Sequence, residues 1–164
     1  MEYPKFKYID RVERFLNTSE EGVECDCCGK VTHLFTSAMY TAEDINAICV
    51  DCIKSGEACE KFDGEFNTAL KIDNAEAMDE LIYKTPQLPT FQEFDWPACC
   101  NDFCTYLSVC KDEDLQNEKI LADLRETFDE EYISYEEMLD MMPEYLLLFK
   151  CEKCGKHHVI VDVD

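Results

Sequence analysis

Glycine is scarce in this chain, with five residues, and so is histidine, with three. Basic residues are outnumbered: 15 Lys and Arg stand against 37 Asp and Glu, for a formal net charge of -22. That balance repels a phosphate backbone and an anionic membrane surface alike, so neither nucleic-acid nor membrane binding is expected. The few glycines form no phosphate-cradling loop, and neither G-x-S-x-G nor H-E-x-x-H occurs. No catalytic residue is assigned on motifs. The longest apolar run, Tyr145 to Phe149, is too short to span a bilayer. The N-terminal MEYPKFKYIDRVERF has no apolar core and no small-residue cleavage site, so the expected location is the cytoplasm.

The chain is rich in cysteine, with 12 residues among 164. In a reducing compartment so many thiols point to metal rather than to a disulfide framework. Two segments share one form, Cys25-x-x-Cys28-Gly29-Lys30 and Cys151-x-x-Cys154-Gly155-Lys156. Two thiolates three residues apart on a tight turn chelate one ion, and the glycine allows the left-handed backbone that aims nearby amides at sulfur. Each such knuckle supplies half of a tetrahedral site and needs a partner pair. For the first, Cys49-x-x-Cys52 completes C-x2-C-x20-C-x2-C, a four-cysteine zinc spacing. Soft thiolates select Zn(II), so the first site is expected to be Cys25, Cys28, Cys49 and Cys52. Cys27 is an alternative to Cys25 or Cys28, though its offset suits a knuckle less well.

For the second knuckle the candidates are Cys99, Cys100 and Cys104. The spacing of Phe103, Leu107 and Cys110 predicts a helix from Trp96 to Cys110. On a helix Cys100 and Cys104 lie one turn apart on one face, whereas Cys99 and Cys100 diverge by about 100°. The second site is therefore expected to be Cys100, Cys104, Cys151 and Cys154, giving two Zn(II) per chain. Cys59 and Cys110 have no partner in sequence and read as core.

The expected fold class is α+β: small strands and hairpins around one or two four-cysteine zinc knuckle sites, with helices between. Residues 3–8 and 31–37 read as strands, and 17–22 as a turn-rich stretch. Thr41 reads as the cap of a helix running into Cys49, and Asn74 as the cap of a helix over 75–83. Asp63-Gly64 is a turn, so Asp63 and Glu65 are read as turn residues rather than an acid–base pair. Helices are expected over 114–128 and 135–142, and a hairpin over 145–162 with the second knuckle at its tip. The prolines at 86 and 89 suggest a boundary between a zinc-knuckle lobe, 1–84, and a helical and cysteine-hairpin lobe, 85–164, unless the two form one compact domain. His157 and His158 are expected to face opposite sides of a strand. A thioredoxin-like role for either C-x-x-C needs a helix N-terminus in a βαβ unit, and Cys154 to Val159 reads as strand instead.

The order YPKFKY, C-D-C-C-G-K, C-x-x-C-I, EKFDGEF, Tyr83-x-Thr85-Pro86, Trp96 with a cysteine cluster, and FKCEKCGKHHVIVDVD resembles the CbrC-like colicin-tolerance family. The resemblance implies a bacterial cytosolic protein with paired cysteine knuckles. Where that family tends to have His-Cys after the Trp, this chain has Cys99-Cys100. Exchanging one zinc ligand for another makes Cys99 the alternative to Cys104. The function expected is a non-enzymatic, zinc-binding protein related to bacteriocin or stress tolerance, acting on a protein partner of basic character. The alternative is an acidic immunity protein that caps a basic nuclease toxin; a thiol-dependent or hydrolytic enzyme is more distant. The acidic stretch 111–144, with 13 Asp and Glu against three Lys and Arg, is either a solvated helical face or a docking surface.

Overall fold

The computed structural model describes residues 3–163. Strands β1 (Asn17–Glu24) and β2 (Val31–Thr36) form an antiparallel hairpin, and the two-residue β3 (Ile48–Cys49) pairs with the other edge of β2. Helices α1 (Val50–Ser55), α2 (Glu57–Phe62) and α3 (Ala75–Lys84) follow. A small hairpin, β4 (Ala98–Cys99) and β5 (Asp102–Phe103), precedes a second antiparallel sheet. That sheet has the order β6 (Thr105–Val109), β7 (Leu146–Lys150), β8 (His157–Val161), with α4 (Glu118–Thr127) and α5 (Tyr135–Leu139) inserted between β6 and β7. The fold is α+β. No helix among the described residues is long and apolar enough to cross a membrane.

Strand β7 organises the interior. Leu146, Leu147, Leu148 and Phe149 are all buried, which is why this segment reads as a continuous apolar run. Because side chains alternate across a strand, the four divide between two cores. Leu147 and Phe149 enter the larger one, whose members run from Phe6 to Cys151. There Phe149 packs edge-on to Trp96 (5.3 Å) and Tyr106 (5.4 Å). Leu146 and Leu148 face Ile120, Leu124, Tyr135 and Met138 from α4 and α5. Burying a leucine side chain is worth about 1.5–3 kcal/mol, so one strand anchors both layers.

Several segments differ from what local pattern suggests. Residues 3–8 form no strand: Phe6 bridges Ile9, the chain bends, and Tyr8 O accepts from Tyr106 N at 2.8 Å, which drives Phe6 and Tyr8 into the core. The stretch 17–22 is part of β1, with a register irregularity between Thr18 and Val23. Residues 41–49 form no helix. The Thr41 hydroxyl donates to Phe62 O at 2.6 Å, bracing the end of α2 instead of capping a helix, and α1 starts only at Val50. The expected helix from Trp96 to Cys110 is instead β4, β5 and β6. The i, i+4, i+7 pattern there came from a β-prone run, Phe103 to Val109, buried through Tyr106 whichever way its side chains point. Helix α4 begins at Glu118 with Asn117 as its cap, after one 3-10 turn, and α5 ends at Leu139.

Asp123 ties α4 to β8. Its Oδ2 accepts from the His157 ring at 2.7 Å, His157 N at 3.2 Å and Lys119 Nζ at 3.2 Å. Burial alone would raise its pKa; the His157 ring, the His157 amide and Lys119 outweigh it and hold the carboxyl below its ordinary value. A carboxyl depressed in the folded state contributes stability above its unfolded pKa of about 3.9 and loses it as pH falls through the folded value. Comparing denaturant unfolding of the wild type with Asp123→Asn should give a stability gap that is steady above about pH 5 and closes below about pH 4. A gap unchanged down to pH 2 would remove this role.

Candidate metal centres

The two knuckles are built by the same hydrogen bonds. Cys25 N donates to Lys30 O at 2.9 Å and Gly29 N to Cys25 O at 2.8 Å; Cys151 N donates to Lys156 O at 2.9 Å and Gly155 N to Cys151 O at 2.8 Å. Gly29 and Gly155 have φ of 73° and 76°, a left-handed turn that a side chain would strain. Each knuckle follows a strand: β1 ends at Glu24, and β7 at Lys150.

In the first centre Asp26 holds the facing segment. Its carboxylate accepts from Asn46 N at 2.7 Å and Ala47 N at 3.0 Å, and Asp26 N donates to Ala47 O at 2.8 Å. Cys49 ends β3 and precedes α1, and Cys52 lies within its first turn. The sulfurs of Cys25, Cys28, Cys49 and Cys52 lie within 4.8 Å of one another. Cys25 and Cys52 are 4.0 Å apart, Cys28 and Cys49 3.8 Å. A tetrahedral ion with bonds of about 2.3 Å requires sulfurs about 3.8 Å apart, so the donor set fits a four-thiolate metal. Burial pushes the Cys25 thiol up, but the amides of Cys49, Cys28 and Cys27 outweigh it and bring it down to about 7. Lys61, from the EKFDGEF segment, donates to Asp26 O at 2.7 Å and Cys27 O at 2.6 Å, placing a cation beside the knuckle.

The second centre gathers Cys99, Cys100, Cys151 and Cys154, again within 4.8 Å. Cys99 Sγ lies 3.6 Å from Cys154 Sγ and 3.8 Å from Cys100 Sγ. Cys104, expected here from its spacing to Cys100, is not in this group. It is fully buried, its carbonyl accepts from Trp96 Nε1 at 2.7 Å, and burial pushes its thiol up to about 12. The reason is the absent helix. Cys100 and Asn101 both have φ of 55° and form the two-residue turn between β4 and β5. The reversal at Cys100 lets neighbouring side chains converge, which a helix forbids. Side-chain amides brace the turn: Asn101 Nδ2 donates to Asp73 O at 2.8 Å, and Asn74 Nδ2 to Asn101 O at 2.9 Å. The amide of Lys156 and the neighbouring cysteines draw the Cys154 thiol down to about 7.

Together these clusters can hold two metal ions. The family model of the uncharacterised protein family UPF0167 matches residues 3–163. The chain belongs to UPF0167. A UPF0167 protein of Mycobacterium bovis is 25% identical over 97% of this chain and 92% of its own length. One of Pseudomonas aeruginosa is 22% identical over 97% of this chain and 96% of its own length. No solved structure matches.

The remaining candidates lie elsewhere in this UPF0167 chain. Cys59 is buried, donates to Tyr83 O at 3.5 Å, and is pushed up to about 12 by burial. Cys110 is buried in the smaller core. Cys27 is half-buried beside the first cluster, and burial raises its thiol. His157 is engaged with Asp123, while His158 Nε2 is buried without a hydrogen-bond partner among the described residues. Asp63 and Glu65, read as turn residues, also line a cavity of about 580 Å³ with Glu60, Tyr40 and Tyr83. No spacing rule reports that cavity, because α2, α3 and the segment near Tyr40 meet only in three dimensions.

Metal content of single-cysteine variants separates the ligands from the core. Cys99→Ser should lose one ion per chain, and Cys104→Ser should keep both. Cys52→Ser should remove the first ion and unfold its surroundings, since a four-thiolate site carries about 10 kcal/mol of folding free energy. Cys59→Ser should melt close to wild type. Loss of an ion in Cys104→Ser with retention in Cys99→Ser would reverse the assignment.

Proposed function

We propose that this UPF0167 protein is a non-enzymatic, zinc-stabilised cytoplasmic protein that works by binding a protein partner. The observation that carries the reading is the gathering of eight thiols into two four-sulfur groups. Thiolate sets of this kind select zinc among the common divalent ions. A zinc ion with four protein ligands has no open position for substrate or activated water, which marks structural rather than catalytic sites. The resemblance to the CbrC-like colicin-tolerance family supports a place in bacteriocin or stress tolerance. The partner's basic character follows from the net charge of -22, far beyond the magnitude of roughly 2–8 that keeps a small domain soluble. The acid-rimmed cavity beside α2 suits a basic side chain of that partner.

One observation favours the second reading, an immunity protein that caps a basic nuclease toxin. Asp112, Glu113, Glu131 and Glu136 are exposed in the α4–α5 region, where their fields add. Glu130 and Glu137 are less suited to that role, because their carboxylates accept from the amides of Tyr135 and Ser134 and cap α5.

Elemental analysis tests the shared core of both readings, with close to two zinc ions per chain expected. A ratio near one would remove one site, and a ratio near zero the whole zinc reading. DNA cleavage by a nuclease-colicin domain then separates them. An immunity protein suppresses cleavage, more weakly as ionic strength rises, and loses the effect when Asp112, Glu113, Glu131 and Glu136 are changed together to Asn or Gln. Cleavage indifferent to a large excess of the protein would discard the immunity reading.

A further inference from the structure

The two clusters share a knuckle but differ in exposure. In the first, Cys25, Cys49 and Cys52 are buried and only Cys28 is exposed; in the second only Cys151 is buried, while Cys100 and Cys154 are exposed and Cys99 is half-buried. The supports differ too. The first centre faces a segment fixed by the carboxylate of Asp26 and by α1. The second faces a hairpin of two paired residues per strand, turning through Cys100 at φ 55°, a conformation that side chains other than Asn and Asp seldom adopt. Thiol oxidation follows exposure and access, and strained backbone gathers where a structure is built to change.

We propose that the second cluster is the protein's thiol-oxidation site: a hydroperoxide joins Cys99 and Cys154 in a disulfide and discharges the ion held there, while the first cluster keeps its ion. The inference rests on the reading that both clusters hold zinc. The exposed Cys154 sulfur attacks the terminal oxygen of the hydroperoxide, the O–O bond breaks, and Cys154 becomes a sulfenic acid as water or an alcohol leaves. Cys99 Sγ, 3.6 Å away on a separate segment, displaces a second water from that sulfur and closes the S–S bond. Cys100 is a poorer partner for Cys99, since neighbouring Cα atoms stand about 3.8 Å apart and an unstrained disulfide needs about 4.4 Å or more. For hydrogen peroxide the balance per site is one peroxide and four protons consumed; one disulfide, two water molecules, two thiols (Cys100 and Cys151) and Zn(II) are formed. The peroxide takes the two electrons that the two sulfurs lose. Discharge unties the β4–β5 hairpin from the β7–β8 turn.

The test uses the full chain with its zinc counted before oxidant is added. Hydrogen peroxide is then supplied, released zinc is followed with a colorimetric chelator, and disulfides are mapped by mass spectrometry after alkylation. One zinc equivalent should leave about tenfold or more faster than the other, in step with a Cys99–Cys154 bridge, since susceptibility follows exposure. Cys154→Ser, which starts with the first ion alone, should form no early bridge and release that ion only in the slow phase. Release of both ions in one phase, or a first bridge among Cys25, Cys28, Cys49 and Cys52, would overturn the proposal. A starting content below two would instead overturn the two-zinc reading, and the disulfide map would still decide the oxidation site: a first bridge at Cys99–Cys154 supports it, and any other overturns it.

Discussion

The convergence of four thiolates at each of two points is the constraint on which the rest of the molecule depends. Strands β3, β4 and β5 have two residues each, too few to be ordered by their own ladder bonds. Ligation of a metal would fix two of them directly. Cys49 ends β3 and belongs to the first group of sulfurs; Cys99 ends β4 and belongs to the second. The joined segments are far apart in sequence, so each metal would close a loop that no sheet closes. Such a site is worth on the order of 10 kcal/mol, comparable with the 5–15 kcal/mol of a whole domain.

The second constraint is β7, and it meets the first at Cys151. With side chains committed alternately to the aromatic core around Trp96 and to the α4–α5 layer, β7 cannot slip by one residue without exchanging both sets. Its end therefore delivers Cys151 to a defined place. The same rigidity reaches the opposite ligands through Trp96, whose indole donates to Cys104 O just before β6. Cys104 thus serves the second centre as part of the packed floor beneath the β4–β5 hairpin.

Much of this was legible in the amino-acid order, and what was not has physical causes. The knuckles, the first tetrad, the Asn74-capped helix and the β7–β8 hairpin follow from local chemistry: a C-x-x-C-G turn, a cap, a β-prone run. The second tetrad did not, because its key residue is a turn in disguise. Cys100-Asn101 supplies two positive φ values without a glycine, so nothing marked the hairpin, and three apolar residues at spacings of four and three imitated a helix. Cys99, a candidate from the start, falls behind Cys104 on helix geometry and regains weight only through the His-Cys pattern of the family the chain resembles. Residues 3–8 and 41–48 depart from local pattern for a related reason: the Tyr8 carbonyl and the Thr41 hydroxyl serve distant partners, Tyr106 and Phe62, that local propensity cannot see.

Both centres place four sulfur donors where a tetrahedral ion needs them, in a family seen from Mycobacterium to Pseudomonas. The acidity of the chain belongs to the same picture, because a zinc ion held by four thiolates would carry a net charge of about -2 and add to it. Lys61 at the first knuckle and Lys153, which donates to Cys100 O at 3.1 Å, set cations against that charge. Zinc-edge X-ray absorption on the intact protein reads the all-sulfur ligand set directly. One shell of four sulfurs at about 2.3 Å averaged over both ions is expected, with no nitrogen or oxygen contribution near 2.0 Å. A shell that needs a nitrogen or oxygen donor, or fewer than four sulfurs per ion, would contradict it.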